Sequence, residues 1–186
     1  MLYLQTAQAE TIKVAAIDWC PQICIDEEKP GYTVELIKKI FQDSEYTVEI
    51  DIFPWTRAIK YVSDGTYDAL LAPAKKEAPH LVFPNFPVGF QQMCFFTDAK
   101  NTWQYLNEQS LQGIQIGIAI DTSIEELNTY IQEHPEQFQY QPYHERFLAQ
   151  NVNKLLIKRI DAFLFTKNTT IYELKNEDTY NSQDKK

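Results

Sequence analysis

Long hydrophobic runs are missing: no stretch approaches the roughly 20 consecutive apolar residues that a membrane-spanning helix requires, so the chain as given contains no such segment. Clusters of lysine or arginine are missing too. With 17 Lys and Arg against 26 Asp and Glu the formal net charge is -9, and a net negative field repels nucleic acid and anionic membrane surfaces alike. Cysteine is scarce. The three present, Cys20, Cys24 and Cys94, are an odd number, so at least one has no partner within the chain and no disulfide framework forms. A Cys20–Cys24 bridge would close only a tiny ring around Pro21, Gln22 and Ile23, and loop or buried thiols are the expectation. A zinc site would need further ligands at suitable spacing, which His80, His134 and His144 do not supply.

Catalytic signatures are equally sparse. There is no Gly-rich phosphate loop, no G-x-S-x-G elbow, no H-E-x-x-H pair, and no serine or cysteine with a credible histidine base. The acidic residues read as solvated carboxylates. No catalytic residue, metal or cofactor is therefore assigned, and the chain is expected not to be an enzyme.

What is present is enough for a packed core: 186 residues, 44% of them hydrophobic and 13% aromatic, which fits one domain or two small lobes. Residues 1–9 carry no charge and end in Ala7-Gln8-Ala9, a small-x-small pattern of the kind signal peptidase accepts. They read as the remnant of an export signal whose start lies upstream, with Glu10 as the mature N-terminus.

From there the pattern alternates strand and helix. Ile12–Ile17 is a nearly continuous apolar run, as in a parallel strand covered on both faces. From Thr33, a candidate N-cap, Val34, Ile37, Ile40 and Phe41 recur at helical spacing. Val48, Ile50 and Ile52 alternate with polar residues up to Pro54, a helix begins at Trp55 and stops at Asp64-Gly65, and residues 67–72 form a third strand. Residues 10–73 thus spell β-α-β-α-β, which leaves the strand C-termini along one rim. On that rim lie Asp18 and Trp19, Trp55 and Arg57, and Ala72 to Lys76.

A second unit of the same kind follows the aromatic stretch Phe83–Phe96. The strand Ile114–Ile120 leads to Thr122-Ser123 and Glu125-Glu126, overlapping capping boxes for a helix with Ile124, Leu127 and Ile131 inward. A loop rich in Gln, Pro and Tyr comes next. A helix over 146–158, with Asn151 and Asn153 facing solvent, then feeds the strand Ile160–Phe165. Asp161-Ala162 echoes Asp68-Ala69, and the echo fits two similar lobes.

The ordered motifs Trp19-x-Pro21, Gly31-Tyr32-x-x-Glu35-Leu36, Pro54-Trp55-x-Arg57-Ala58, Gly65-x-x-Asp68-Ala69, Ala78-Pro79-x-Leu81-x-Phe83-Pro84, Leu111-x-Gly113, Ile116-Gly117 and Arg159-x-Asp161-Ala162 span the chain from Glu10 to about Tyr172. In that order and spacing the chain resembles the bacterial extracellular solute-binding proteins of family 3. The resemblance implies a periplasmic type II architecture: two α/β lobes, each a mainly parallel sheet flanked by helices, holding a small polar solute between them. It implies further a monomer that serves the permease of an ABC-type importer of amino acids or related compounds. The boundaries it implies are 10–93 for the first lobe, 94–172 for the second, and 173–186 for a polar, unpatterned tail where the chain reads as cut short before its return to the first lobe.

One departure concerns the ligand. Amino-acid binders of the family carry an arginine after the third strand to clamp the ligand carboxylate. Here the segment reads Ala72-Pro73-Ala74-Lys75-Lys76, and a lysine supplies a point charge but not a planar bidentate fork. The candidate ligand-binding residues are Trp19, Trp55, Arg57, Ala72, Lys75, Thr122 and Ser123. For the tryptophans the alternative is core packing; for Arg57 it is a salt bridge to Glu35 or Asp68; for Thr122 and Ser123 it is helix capping alone. Two other classes stand beside the receptor: an extracytoplasmic sensor module of a longer membrane protein, and an enzyme on the same scaffold resembling the cyclohexadienyl dehydratases.

Overall fold

The computed structural model describes residues 10–120, 122–124, 126–144 and 146–183, with side chains to Asn176. The leader-like residues 1–9 and the acid Glu125 lie outside the described residues. The chain divides into two compact units, Met1–Val82 and Phe83–Lys186.

The first unit is built on a three-stranded sheet of order β2-β1-β3, with β1 Glu10–Ala16, β2 Tyr46–Ile52 and β3 Ala69–Leu70, and all its pairings are parallel. Val14 and Ala16 of β1 face a core completed by Ile23, Val34 and Leu71, with Ile37 of helix α1 (Tyr32–Phe41) and Val48, Ile50 and Ile52 of β2 packed against it. Ala15 is fully buried, as is Ala58 of helix α2 (Trp55–Ser63). The expected third strand over 67–72 keeps only two ladder residues. Its flank instead goes into a ring cluster in which Phe53 meets Tyr61 and Tyr67 edge-on at 5.0 and 5.2 Å.

Helix α1 starts one residue before the expected cap. Its N-cap is Gly31, with φ 92°, and no side chain caps it. Instead the Tyr32 and Thr33 amides donate to the Pro21 and Gln22 carbonyls at 3.3 and 3.0 Å. A Cβ on Gly31 would run into the Gln22 backbone, so glycine is required both for the left-handed φ and for this approach. Thr33 is buried rather than capping.

The second unit holds a four-stranded sheet of order β4-β7-β5-β6: β4 Met93–Phe96, β5 Ile116–Ala119, β6 Phe138–Gln141 and β7 Ala162–Thr166. β5 pairs parallel with β6 and β7, while β4 runs antiparallel to β7. One face buries Ile116, Ile118, Phe138 and Leu164 with Ile131 of α3 (Asn128–Glu133). The other buries Ala119, Phe163 and Phe165 against Phe147, Leu148 and Leu155 of α4 (Phe147–Leu156). Strand β6 was not anticipated in the Gln/Tyr-rich segment, though Phe138 and Gln141 are its buried ends.

Asn151 does not face solvent. It lies four residues from both Phe147 and Leu155 on the buried stripe of α4, is fully buried, donates its Nδ2 to the Phe147 carbonyl at 3.0 Å and turns its Oδ1 onto Gly117, where a Cβ would collide with it. Asn153 is exposed as expected. After β7 comes helix α5, Lys167–Gln183, anchored where Thr169 and Thr170 are buried; it takes in residues 173–183 of the segment 173–186 expected to be unpatterned, and 184–186 lie outside the described residues.

Candidate functional site

Because β2, β1 and β3 are parallel, their C-terminal ends share one edge of the first sheet, the side on which open α/β sheets take ligands. The chain leaves β1 through Asp18 and Trp19, leaves β2 through Phe53 and Pro54 into Trp55 and Arg57 on the first turn of α2, and leaves β3 through Leu71 and Ala72 toward Lys75. The Phe53 amide donates to the Ala16 carbonyl at 2.8 Å and the Leu71 amide to the Ala15 carbonyl at 2.9 Å, which ties the three exits together.

The Trp19 exit is braced. Cys20 and Cys24 form a disulfide with Cα atoms 4.8 Å apart, contrary to the expected thiols, and Cys94 is the free cysteine. The Trp19 amide donates to the Ile23 carbonyl at 2.6 Å, the Ile23 amide returns to the Trp19 carbonyl at 3.0 Å, and the Cys24 amide reaches the Pro30 carbonyl at 2.8 Å. Small as the ring is, this hairpin-like turn brings the two sulfurs together. Trp19 and Trp55 are both half-buried.

Arg57 is exposed, and among the described residues it forms no ion pair with Glu35 or Asp68. The Asp68 carboxylate instead accepts the Lys13 amide at 2.8 Å. The first turn of α2 carries no acid, so the guanidinium adds to the positive end of the helix dipole and is not neutralised there. Ala72 has φ 57°, a left-handed backbone that costs a non-glycine residue about 1–2 kcal/mol. Such outliers cluster where a ligand or a switch requires them. Lys75 is exposed two residues before Glu77, whose Oε2 accepts the Ala74 amide at 2.9 Å.

Sequence reasoning left Asp18 out of the candidate set, although it stands beside Trp19. Its carboxyl is half-buried, burial pushes its pKa up, and the Ile25 amide, donating to Oδ1 at 3.2 Å, offsets part of that rise.

In the second unit the same logic puts Thr122 and Ser123 after the C-terminal end of β5, and both are half-buried. They do not cap the helix. It begins only at Asn128, with Leu127 as N-cap and no side-chain cap. A turn in which the Leu127 amide donates to the Ile124 carbonyl at 2.8 Å comes first, and Asn128 supplies the local bonds, its Nδ2 donating to Ser123 Oγ at 3.1 Å and its Oδ1 accepting the Ile124 amide at 3.0 Å. Among the described residues no group of three or more His, Cys, Asp and Glu side chains is arranged to hold a metal ion.

No family model matches the chain, and neither does any curated protein. Solved structures do. A histidine kinase sensor domain with similarity to periplasmic binding proteins aligns with TM-score 0.73 and 18% identity, over 92% of this chain and 74% of that one. An ancestral arginine-binding protein aligns with TM-score 0.70 and 15% identity, over 92% and 76%. A probable amino-acid ABC transporter extracellular-binding protein from Bacillus subtilis aligns with TM-score 0.69 and 17% identity, over 90% and 75%. The chain therefore has the fold of the type II periplasmic binding proteins, the fold of the family 3 solute-binding proteins that its sequence resembles.

Proposed function

We propose that this chain is a solute-binding receptor that takes up a small polar solute, an amino acid or a related compound, at the strand edge of the first unit lined by Trp19, Trp55, Arg57, Ala72 and Lys75; Thr122 and Ser123, at a strand end of the second unit, are the candidate ligand residues of that unit. The observation that carries this is the Arg57 guanidinium, which forms no ion pair among the described residues, close in sequence to Trp55 where β2 passes into α2, in a fold whose solved neighbours include proteins named for binding amino acids. The indoles supply apolar stacking area and the guanidinium an anion partner, which is the combination a small polar solute needs. On this reading the protein is exported, acts as a monomer, delivers its solute to the membrane permease of an ABC-type importer, and makes or breaks no covalent bond.

A second reading has one specific observation in its favour: the alignment with a histidine kinase sensor domain. There the same site would report the solute to a membrane protein. Genomic DNA around this gene separates the two, a permease gene supporting the importer and an in-frame membrane span supporting the sensor.

The direct experiment is a thermal-shift panel of amino acids and other small polar solutes on the purified chain. A solute at about 100 times its dissociation constant stabilises by ~2.7 kcal/mol, or roughly 5–10 °C for a protein of this size. Trp55→Ala is expected to abolish that shift while leaving the unliganded melting point within a few degrees. A shift that survives Trp55→Ala assigns the indole to packing, and a panel with no shift at all overturns the receptor.

A further inference from the structure

We propose that the segment between β3 and β4 joins two copies of this chain, Phe86, Val88 and Phe90 of one copy packing against the same residues of the other. The inference goes beyond the receptor reading, which treats the chain singly, and none of the candidate ligand residues lies in the segment. Val82, Phe86, Val88 and Phe90 are 100%, 83%, 65% and 94% exposed. Valine and phenylalanine are among the residues most often buried, and so many laid bare along one short segment mark a contact surface where single exposed residues would not.

Charge singles out the same segment. From Ala78 to Thr97 there is no Asp, Glu, Lys or Arg, in a chain whose formal net charge is -9. Two copies repel one another through that charge, and the repulsion is weakest where neither carries any. An anionic lipid surface, by contrast, would find no cation here.

Area and form agree with a pair. A buried aromatic side chain contributes roughly 150–250 Å², so Phe86 and Phe90 from two copies supply about 600–1,000 Å². Val82 and Val88 carry the total toward the roughly 1,200 Å² at which stable interfaces begin. Residues 81–90 belong to no helix or strand, and Pro84 and Pro87 have no amide hydrogen to donate, which makes the segment a poor template for adding strands into an open stack. One face packed on its own copy closes instead into a two-fold pair. The proline rings also fix φ near -65°, so less ordering accompanies the contact.

The experiment is sedimentation velocity of the purified chain, without solute, over a hundredfold range of concentration up to about 200 μM. Wild type is expected to pass reversibly from one copy to two, and to do so more readily as added salt screens the repulsion between copies. The Phe86→Ser/Phe90→Ser double variant is expected to weaken the pair about tenfold or more. Val88→Asp, which sets like charges face to face, is expected to weaken it as well, and more in low salt than in high. A single copy at every concentration overturns the proposal, as does a pair that survives the double variant when its circular dichroism matches wild type. Association that runs on past two copies, or a pair that loosens with salt, overturns it too. So does flotation of single copies with phosphatidylcholine vesicles, which would make lipid the occupant of the segment. Because no solute is present, failure here leaves the receptor standing, and a solute panel without a shift leaves the pair standing.

Discussion

Asp68 holds Lys13 at both ends of one peptide contact: its Oδ2 accepts the Lys13 amide at 2.8 Å and its own amide donates to the Lys13 carbonyl at 2.9 Å. In the second unit Asp161 does the same to Gln115, at 2.9 and 2.8 Å. In each case the acid leads into a strand beside a parallel neighbour, β3 beside β1 and β7 beside β5. Asp68→Ala and Asp161→Ala are each expected to lower stability by about 1–2 kcal/mol, and the asparagine variants by less because they keep an acceptor. Urea unfolding of the four variants checks this. Equal losses for alanine and asparagine would show that the charge matters and the acceptor does not.

Ala72 adopts a left-handed backbone on the exposed strand edge. Glycine occupies that conformation without the Cβ clash, at some added cost in unfolded-chain entropy, so Ala72→Gly is expected to stabilise by about 0.5–1 kcal/mol. If the strained backbone serves the site, the same variant binds solute more weakly in the thermal-shift panel although it melts higher.

Tyr67 donates its hydroxyl to Asp51 Oδ2 at 2.8 Å, and this bond, with a smaller contribution from burial, pushes its pKa up to about 12. The folded chain holds this proton more tightly than the unfolded chain, whose tyrosines titrate near 10. The contribution to stability is therefore complete below about pH 10 and is lost between there and about 12. Ultraviolet titration near 295 nm should find a tyrosine that ionises near pH 12 in wild type and earlier in Asp51→Asn.

Asp18 works with the opposite sign. Its pKa lies above 3.8 in the folded chain, so folding favours its protonated form and its contribution falls as pH rises through the window from 3.8 to the raised value. At pH 7 the carboxylate is a net cost. Asp18→Asn is expected to raise the melting temperature at pH 7, and to raise it less at pH 3. A lower melting point at pH 7 would mean that the charge has a structural partner.

Arg57→Lys keeps a positive charge but loses the planar fork that grips a carboxylate through two bonds. Solute affinity measured by calorimetry is expected to fall about tenfold, a figure in keeping with one lost charge-assisted bond. Unchanged affinity would leave Arg57 as a solvated side chain.

Much of the architecture was legible from residue order. Val14-Ala15-Ala16 announced a strand covered on both faces, Pro54-Trp55 announced the start of α2, and Asp64-Gly65 its end. The capping assignments failed at both helices where they were made, at Thr33 and at Thr122-Ser123, because a backbone can be satisfied by carbonyls or amides from elsewhere. Gly31 with the Pro21 and Gln22 carbonyls, and Asn128 with the Ile124 amide, took the places expected of those side chains. The spacing of Asn151 to Phe147 and Leu155 puts it on the buried stripe of α4, where helical period outweighs polarity.

The sequence by itself determined the alternation of strands and helices and the set of aromatic and charged residues at the strand ends, since both follow from local periodicity and from the residues that start and stop an element. Only the tertiary structure decided which of those residues have partners. Among the described residues it left Arg57 and the half-buried Asp18 without an ion pair, spent Asp68 and Asp161 on neighbouring strands, and joined Cys20 to Cys24. The Asp68 and Asp161 pairings join segments 55 and 46 residues apart, and no local pattern carries that information.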